Sequence, residues 1–227
     1  MKCRQCIVIF GVLILGSAFF LGTVQALPQY TISDYYTGSP SFNGGPFLVD
    51  PANPGESSFL TFCIERNEYF SPGSTYYGTI EPYAIQGGVG AVNGQDPVDN
   101  RTAYLYRYFL ANESTLNPYQ EIAIQLVIWR IEEEVDSSYT GYGGILGYVY
   151  GGDSLSIGQW AEVYWNDANN HTNYPLDVKA LNLWANADGT GLRQSHLIPV
   201  PEPSTILLLG MGLLGGAIVA SRRRKKT

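Results

Sequence analysis

The chain has 227 residues and a formal net charge of −7, and most of its basic residues lie at the two ends. Between Leu27 and Pro199, six basic side chains stand against nineteen carboxylates, a net charge near −13, and such a surface repels nucleic acid and anionic lipid. A hydrophobic fraction of 45% with 13% aromatic residues excludes a disordered chain.

Lys2 and Arg4 precede an apolar run from Ile7 to Leu21, and Val24-Gln25-Ala26 puts small residues where a signal peptidase reads. Residues 1–26 are expected to be a secretory signal cleaved after Ala26, which makes signal peptidase a processing partner. No Leu-x-x-Cys lipobox ends the run. Cleavage would remove Cys3 and Cys6 and leave Cys63 alone. An odd cysteine in an exported chain implies an intermolecular bond or a reactive thiol; a small buried hydrophobe is the plainer alternative.

Residues 27–199, about 170 in number, suffice for one domain with a real core. Tyr30-Thr31-Ile32 and Phe47-Leu48-Val49 are short strand candidates. Ser58 to Ile64 alternates as a strand, with Phe59, Thr61 and Cys63 on one face and Leu60, Phe62 and Ile64 on the other. Both faces are largely apolar, as in a strand buried on two sides. Tyr76 to Ile85 reads as another strand region and Gln86 to Gln95 as a Gly-rich loop. Asn100 is placed as N-cap of a helix over Ala103 to Leu110. Asn117-Pro118 opens a second helix, and Tyr119 to Glu134 carries an apolar stripe at Ile124, Val127, Ile128, Ile131 and Val135. Gln125 falls at the border of that stripe. Glu132-Glu133-Glu134 with Asp136 reads as a solvated helix end, and Tyr139 to Gly152 as a loop. Ile157 to Asn166 is a third helix capped by Ser156. Leu176 to Trp184 is ambiguous between helix and strand, Asn186 to Gly191 is a turn, and Arg193 to Ile198 is a final strand. Strands around a helical middle predict an α+β fold: a β-rich domain, sandwich or barrel-like, with a helical insertion.

Val200-Pro201-Glu202-Pro203-Ser204 leads into an uncharged run, Thr205 to Ala220, followed by Arg222, Arg223, Arg224, Lys225 and Lys226. The run is near the short end of what spans a bilayer. The basic cluster would hold its end on the cytoplasmic side, with the body outside. Pro201, Glu202 and Pro203, the apolar run and the arginines resemble the PEP-CTERM sorting signal of Gram-negative bacteria, over residues 200–227. The resemblance implies recognition by an exosortase, removal of the tail after transient inner-membrane anchoring, and a destination in the envelope, at the surface or in an exopolysaccharide matrix.

Cys63 and Gln125 are the candidates for chemistry. A thiol and a carboxamide held together away from water can condense to an internal thioester and release ammonia. The reaction needs pre-positioning, a donor for the amide oxygen and exclusion of water. Phe62 and Trp129 are expected to shield the bond. Phe62-Cys63 followed by an acidic residue, the Tyr104-Leu105-Tyr106 helix, and Gln125-x-x-Ile128-Trp129 resemble bacterial Cys-Gln thioester domains of surface adhesins. In that family the glutamine motif is usually Thr-Gln-x-Ala-Ile/Val-Trp; here Ile124 stands in place of Thr and Val127 in place of Ala. The resemblance implies that Cys63 and Gln125 form the bond and capture an amine or hydroxyl on a partner, as in adhesion or biofilm-matrix attachment. Gln120 is a weaker second acyl donor.

Neither His171 nor His196 has a metal-like neighbour at i+3 or i+4, so no metal and no cofactor are expected. Asp96 to Asp99 and Asn186 to Gly191 carry oxygen donors without EF-hand spacing. The expected function is single-use covalent attachment rather than enzymatic turnover. The alternative is a non-covalent polysaccharide-binding matrix module with a structural free cysteine; a matrix-remodelling hydrolase is a third reading.

Overall fold

The computed structural model describes residues 26–35, 44–85 and 91–200. Residues 1–25 of the expected signal (1–26), and the Pro201-Glu202-Pro203 motif with Arg222, Arg223 and Arg224, lie outside them. Among the described residues no helix is long and apolar enough to cross a membrane.

The chain runs β1 (Gln29–Asp34), β2 (Phe47–Pro51), β3 (Phe59–Thr61), β4 (Ser74–Glu81), β5 (Tyr83–Ile85) and β6 (Gln95–Pro97). Four helices follow: α1 (Asn100–Asn112), α2 (Pro118–Ile131), α3 (Gly143–Leu146) and α4 (Ile157–Asn169). Strands β7 (Val178–Trp184) and β8 (Leu192–Pro199) close the domain. The fold is α+β, as expected, with the helices inserted between β6 and β7.

Six strands form an antiparallel sheet in the order β3-β2-β1-β4-β7-β8, and β5 and β6 form a small second sheet. The large sheet curls until its two ends meet. Just beyond β3, Cys63 pairs with His196 of β8 in an isolated antiparallel bridge. Ile64 N donates to Ser195 O at 3.0 Å and Leu197 N donates to Phe62 O at 3.0 Å. Thr61 Oγ1 adds a bond to Leu197 O at 2.6 Å. Curling brings side chains very close. At Gly78 of β4 an added Cβ would stand 2.5 Å from the Tyr30 ring and 2.7 Å from Leu181, so only glycine fits.

Asn182 ties the two sheets together. It lies between Leu181 and Leu183, where the β7–β8 register shifts, and bulges of this kind re-aim side chains. Its Oδ1 accepts from Ile85 N at 2.9 Å and from Ser195 Oγ at 2.8 Å, and its Nδ2 donates to Tyr83 O at 3.1 Å.

The helix starts follow local chemistry. The N-cap of α1 is Asp99, one residue before the expected Asn100; its carboxylate accepts from Arg101 N at 2.7 Å. A carboxylate also complements the positive end of the helix dipole. Asn117 caps α2 in a capping box with Gln120, with Pro118 in the first turn, where proline lacks only a donor that would be unpaired anyway. Ser156, the expected cap, makes the same box with Gln159 for α4, which runs on to Asn169.

Other expectations need correction. The stripe on α2 predicts one buried face, yet every residue from Glu121 to Trp129 is buried. The helix packs against both α1 and α4, and its Gln125 reaches the backbone of Cys63 and Gly45. It ends at Ile131 rather than Glu134, with Glu133 in the left-handed region at φ 62. Glu132 and Glu134 are buried, so the acidic run is not a solvated helix end. Burial pushes the Glu132 carboxyl up to about 8. The loop over 139–152 contains the short α3, and the ambiguous 176–184 segment is strand from Val178.

Candidate functional site

Cys63 sits where the curled sheet closes, and the backbone pairing dictates what surrounds it. The bridge bonds run through residues 62 and 64, so Cys63 and His196 form a non-hydrogen-bonded pair. In such a pair the N–H and C=O of the residue itself point away from the partner strand. Those of Cys63 point toward the end of β2, where Gly45 precedes the strand.

The Gln125 carboxamide fills this place. Its Oε1 accepts from Cys63 N at 3.0 Å and from Gly45 N at 3.1 Å. Its Nε2 donates to Cys63 O at 2.8 Å. The amide thus pairs with Cys63 as a neighbouring strand would. Gln125 is fully buried and Cys63 is 1% exposed. The structure therefore brings together the two residues singled out for chemistry, one from a strand end and one from a buried helix.

The thiol is buried. Burial, reinforced by the Glu65 carboxyl, holds the Cys63 pKa well above its ordinary value, while the backbone N–H groups of Cys63 and Gly45 oppose the shift. The Gly45 N–H that donates to Gln125 Oε1 thus also favours the thiolate. Glycine is required at this position, because an added Cβ would meet Thr61 O at 2.9 Å, Phe62 Cδ1 at 3.0 Å and Gln125 Oε1 at 3.3 Å.

Phe62 is fully buried and packs edge-on against Phe109 of α1, with ring centroids 4.7 Å apart. Trp129 lies one turn beyond Gln125 on α2 and stacks on Tyr142 at 5.5 Å. Tyr142 is within electrostatic reach of Cys63 and accepts from Arg66 Nε at 3.2 Å. Gln120 is engaged elsewhere: its Oε1 accepts from Asn117 N at 2.9 Å in the α2 cap.

Sequence reasoning missed three residues around the site. Gly45 carries no local signal, and its amide matters only because the chain packs close to Thr61 O there. His196 is fully buried, and neither ring nitrogen has a hydrogen-bond partner among the described residues. Burial lowers its pKa to about 3, so the ring is neutral. Glu65 is fully buried. Its Oε2 accepts from Ser195 N at 2.7 Å, and Gln194 Nε2 donates to its backbone carbonyl. Burial, with the nearby Glu68 and Glu134 carboxyls, raises its pKa to about 8. The alternation of the Cys63 strand gave a signal for Glu65; nothing local flagged His196. Among the described residues no group of three or more His, Cys, Asp or Glu side chains is set to hold a metal ion.

The comparisons with known proteins bear on the tail. The family described as the PEP-CTERM protein-sorting motif matches residues 199–225. That motif implies an exosortase as processing partner and an exported protein sorted to the surface or outside the cell. No curated protein matches the chain.

Proposed function

We propose that the domain forms an internal thioester between Cys63 Sγ and Gln125 Cδ, and uses it once to attach covalently to an amine or hydroxyl on a surface or matrix partner. The observation that carries the reading is the grip on the Gln125 carboxamide by Cys63 and Gly45. Two backbone N–H groups converge on Oε1, the atom that gains negative charge when sulfur attacks Cδ. Preorganised donors at such an oxygen are worth about 10²–10³ in rate each. Holding nucleophile and carbonyl together removes a further part of the barrier, about 7–11 kcal/mol in favourable cases.

The step balances without a co-reactant. A C–S bond forms at Cδ, the C–Nε2 bond breaks, and the thiol proton leaves with the nitrogen as ammonia. Phe62 on one side, and Trp129 with Tyr142 on the other, are assigned to keeping water from the product. A partner nucleophile then displaces the thiol, leaving the partner acylated by Gln125 and Cys63 free. The protein is consumed in this event, so it is an anchor and not a turnover enzyme.

The exported protein is expected to weigh one ammonia less than its processed sequence. Cys63→Ala and Gln125→Ala variants should each show the full mass. Methylamine should add to Gln125 and expose Cys63 to alkylation. A wild-type mass equal to the sequence under mild handling sinks the reading.

One surface feature favours non-covalent glycan binding as the second reading. Tyr148 and Tyr150 are 47% and 42% exposed, and Tyr119 packs against both, with centroids at 6.5 and 5.5 Å. Exposed tyrosine rings stack on sugars through their apolar faces. Polysaccharide retention lost on Tyr148→Ala, together with a freely titratable Cys63, would favour it.

A further inference from the structure

The proposed condensation has a missing part. Burial keeps the Cys63 thiol protonated, and the thiolate rather than the thiol is the nucleophile. Some group must take the sulfur proton during attack and return one to the departing nitrogen.

The closure of the sheet supplies such a group. Cys63 and His196 are directly opposed across the seam, so their side chains leave the same face. Opposed pairs of this kind set their Cβ atoms about 5 Å apart. The imidazole is walled by aromatic rings: Phe70 lies edge-on at 4.8 Å and Phe47 at 5.7 Å. It is fully buried, and both nitrogens lack hydrogen-bond partners among the described residues. Buried polar atoms without partners are rare in folded proteins and call for an explanation. A neutral imidazole has one acceptor and one donor nitrogen, which is the equipment of a proton relay. Glu65 is the other buried titratable group near the thiol; its Oε2 is held by Ser195 N, while its Oε1 has no hydrogen-bond partner among the described residues, so variants at both residues are needed to separate them.

We propose that His196 relays the proton in thioester formation, accepting it from Cys63 Sγ as sulfur attacks Gln125 Cδ and returning it to Nε2 as ammonia leaves. The ring ends neutral, as it began. This inference rests on the thioester reading and assigns the step that reading leaves open.

The test uses the exported protein after its bond has been opened with ammonia, which restores the Gln125 carboxamide and the free thiol. Ammonia is then removed, and the return of the mass loss is followed by intact-mass spectrometry. Wild type should regain the bond. His196→Phe, which keeps a flat apolar ring, and His196→Gln should fold, as judged by circular dichroism, and regain it about a hundredfold more slowly or worse. His196→Ala should be equally slow and should recover with added imidazole, a response that a purely structural role would not give. Glu65→Gln should retain most of the wild-type rate. If folded His196→Phe or His196→Gln regains the bond at the wild-type rate, the relay is wrong while the thioester stands. The same holds if Glu65→Gln is the slow variant. If wild type never carries the mass loss, the thioester reading falls and the relay falls with it.

Discussion

Gly45 shows how much of the site rests on one backbone group. Its N–H reaches Gln125 Oε1 at 3.1 Å, and a Cβ there would press on Thr61 O, Phe62 and Oε1 together. Gly45→Ala is therefore expected to shift the segment and withdraw one of two donors from the carbonyl. On the thioester reading, the rate of ammonia loss should fall about 10²–10³-fold, with the fold retained by circular dichroism. A wild-type rate would show that the Gly45 amide contributes nothing to the chemistry. Thr61 O is the nearest obstacle at 2.9 Å, followed by Phe62 at 3.0 Å, whose ring also packs on Phe109 at 4.7 Å.

At the scale of elements, α2 carries Gln125, and its start is fixed by Asn117. Asn117 accepts from Tyr119 N at 3.0 Å and from Gln120 N at 3.1 Å, and it also binds Asp153 through Nδ2 at 2.9 Å. Removing an N-cap of this type costs about 1 kcal/mol. Asn117→Ala should lower stability by at least that amount in denaturant titration, and Asn117→Asp should also fall below wild type, because it keeps the cap but sets a carboxylate against Asp153. A loss below a few tenths would mean that tertiary packing alone holds the start of α2. Residue spacing made the strand and helix carrying Cys63 and Gln125 legible. It misjudged how deeply α2 is buried, because periodicity reports one covered face and cannot count the elements packed against the others.

At the scale of the whole molecule, burial of acids sets the pH response. The Glu65, Glu132 and Glu68 carboxyls are raised, chiefly by burial, to about 8, 8 and 7. Each holds its proton in the folded state at a pH where the unfolded chain has lost it. Stability from these groups is complete below their ordinary values near 4.5 and is lost as pH rises through the folded ones. His196 works oppositely: its folded pKa is lowered to about 3, so its contribution is lost as pH falls below about 6.5. Between pH 6.5 and 8 the carboxyls act alone, and Tm should fall across that window. Glu65→Gln should flatten the fall; an unchanged slope would show that Glu65 is ionised in the native state. The tail acts at this scale too. A chain truncated before Pro201 should still be exported but be released, as read by fractionation of cells and medium. Retention equal to wild type would show that the sorting motif does not hold the protein.

The sequence by itself determined the sorting tail, because Pro201-Glu202-Pro203, an apolar run and an arginine cluster are a linear signal that needs no fold. It also determined the main strands and helices and the choice of Cys63 and Gln125, because residue types and spacing carry that information locally. Only the tertiary structure decided that Gln125 pairs with the backbone of Cys63, that Gly45 donates the second N–H, and that His196 stands opposite the thiol. Those partners lie 62, 80 and more than 130 positions apart along the chain. They meet because the sheet curls until β8 reaches the end of β3, leaving a strand edge that a buried helix completes. Local pattern cannot specify such closure, since it depends on how every strand between them twists and packs.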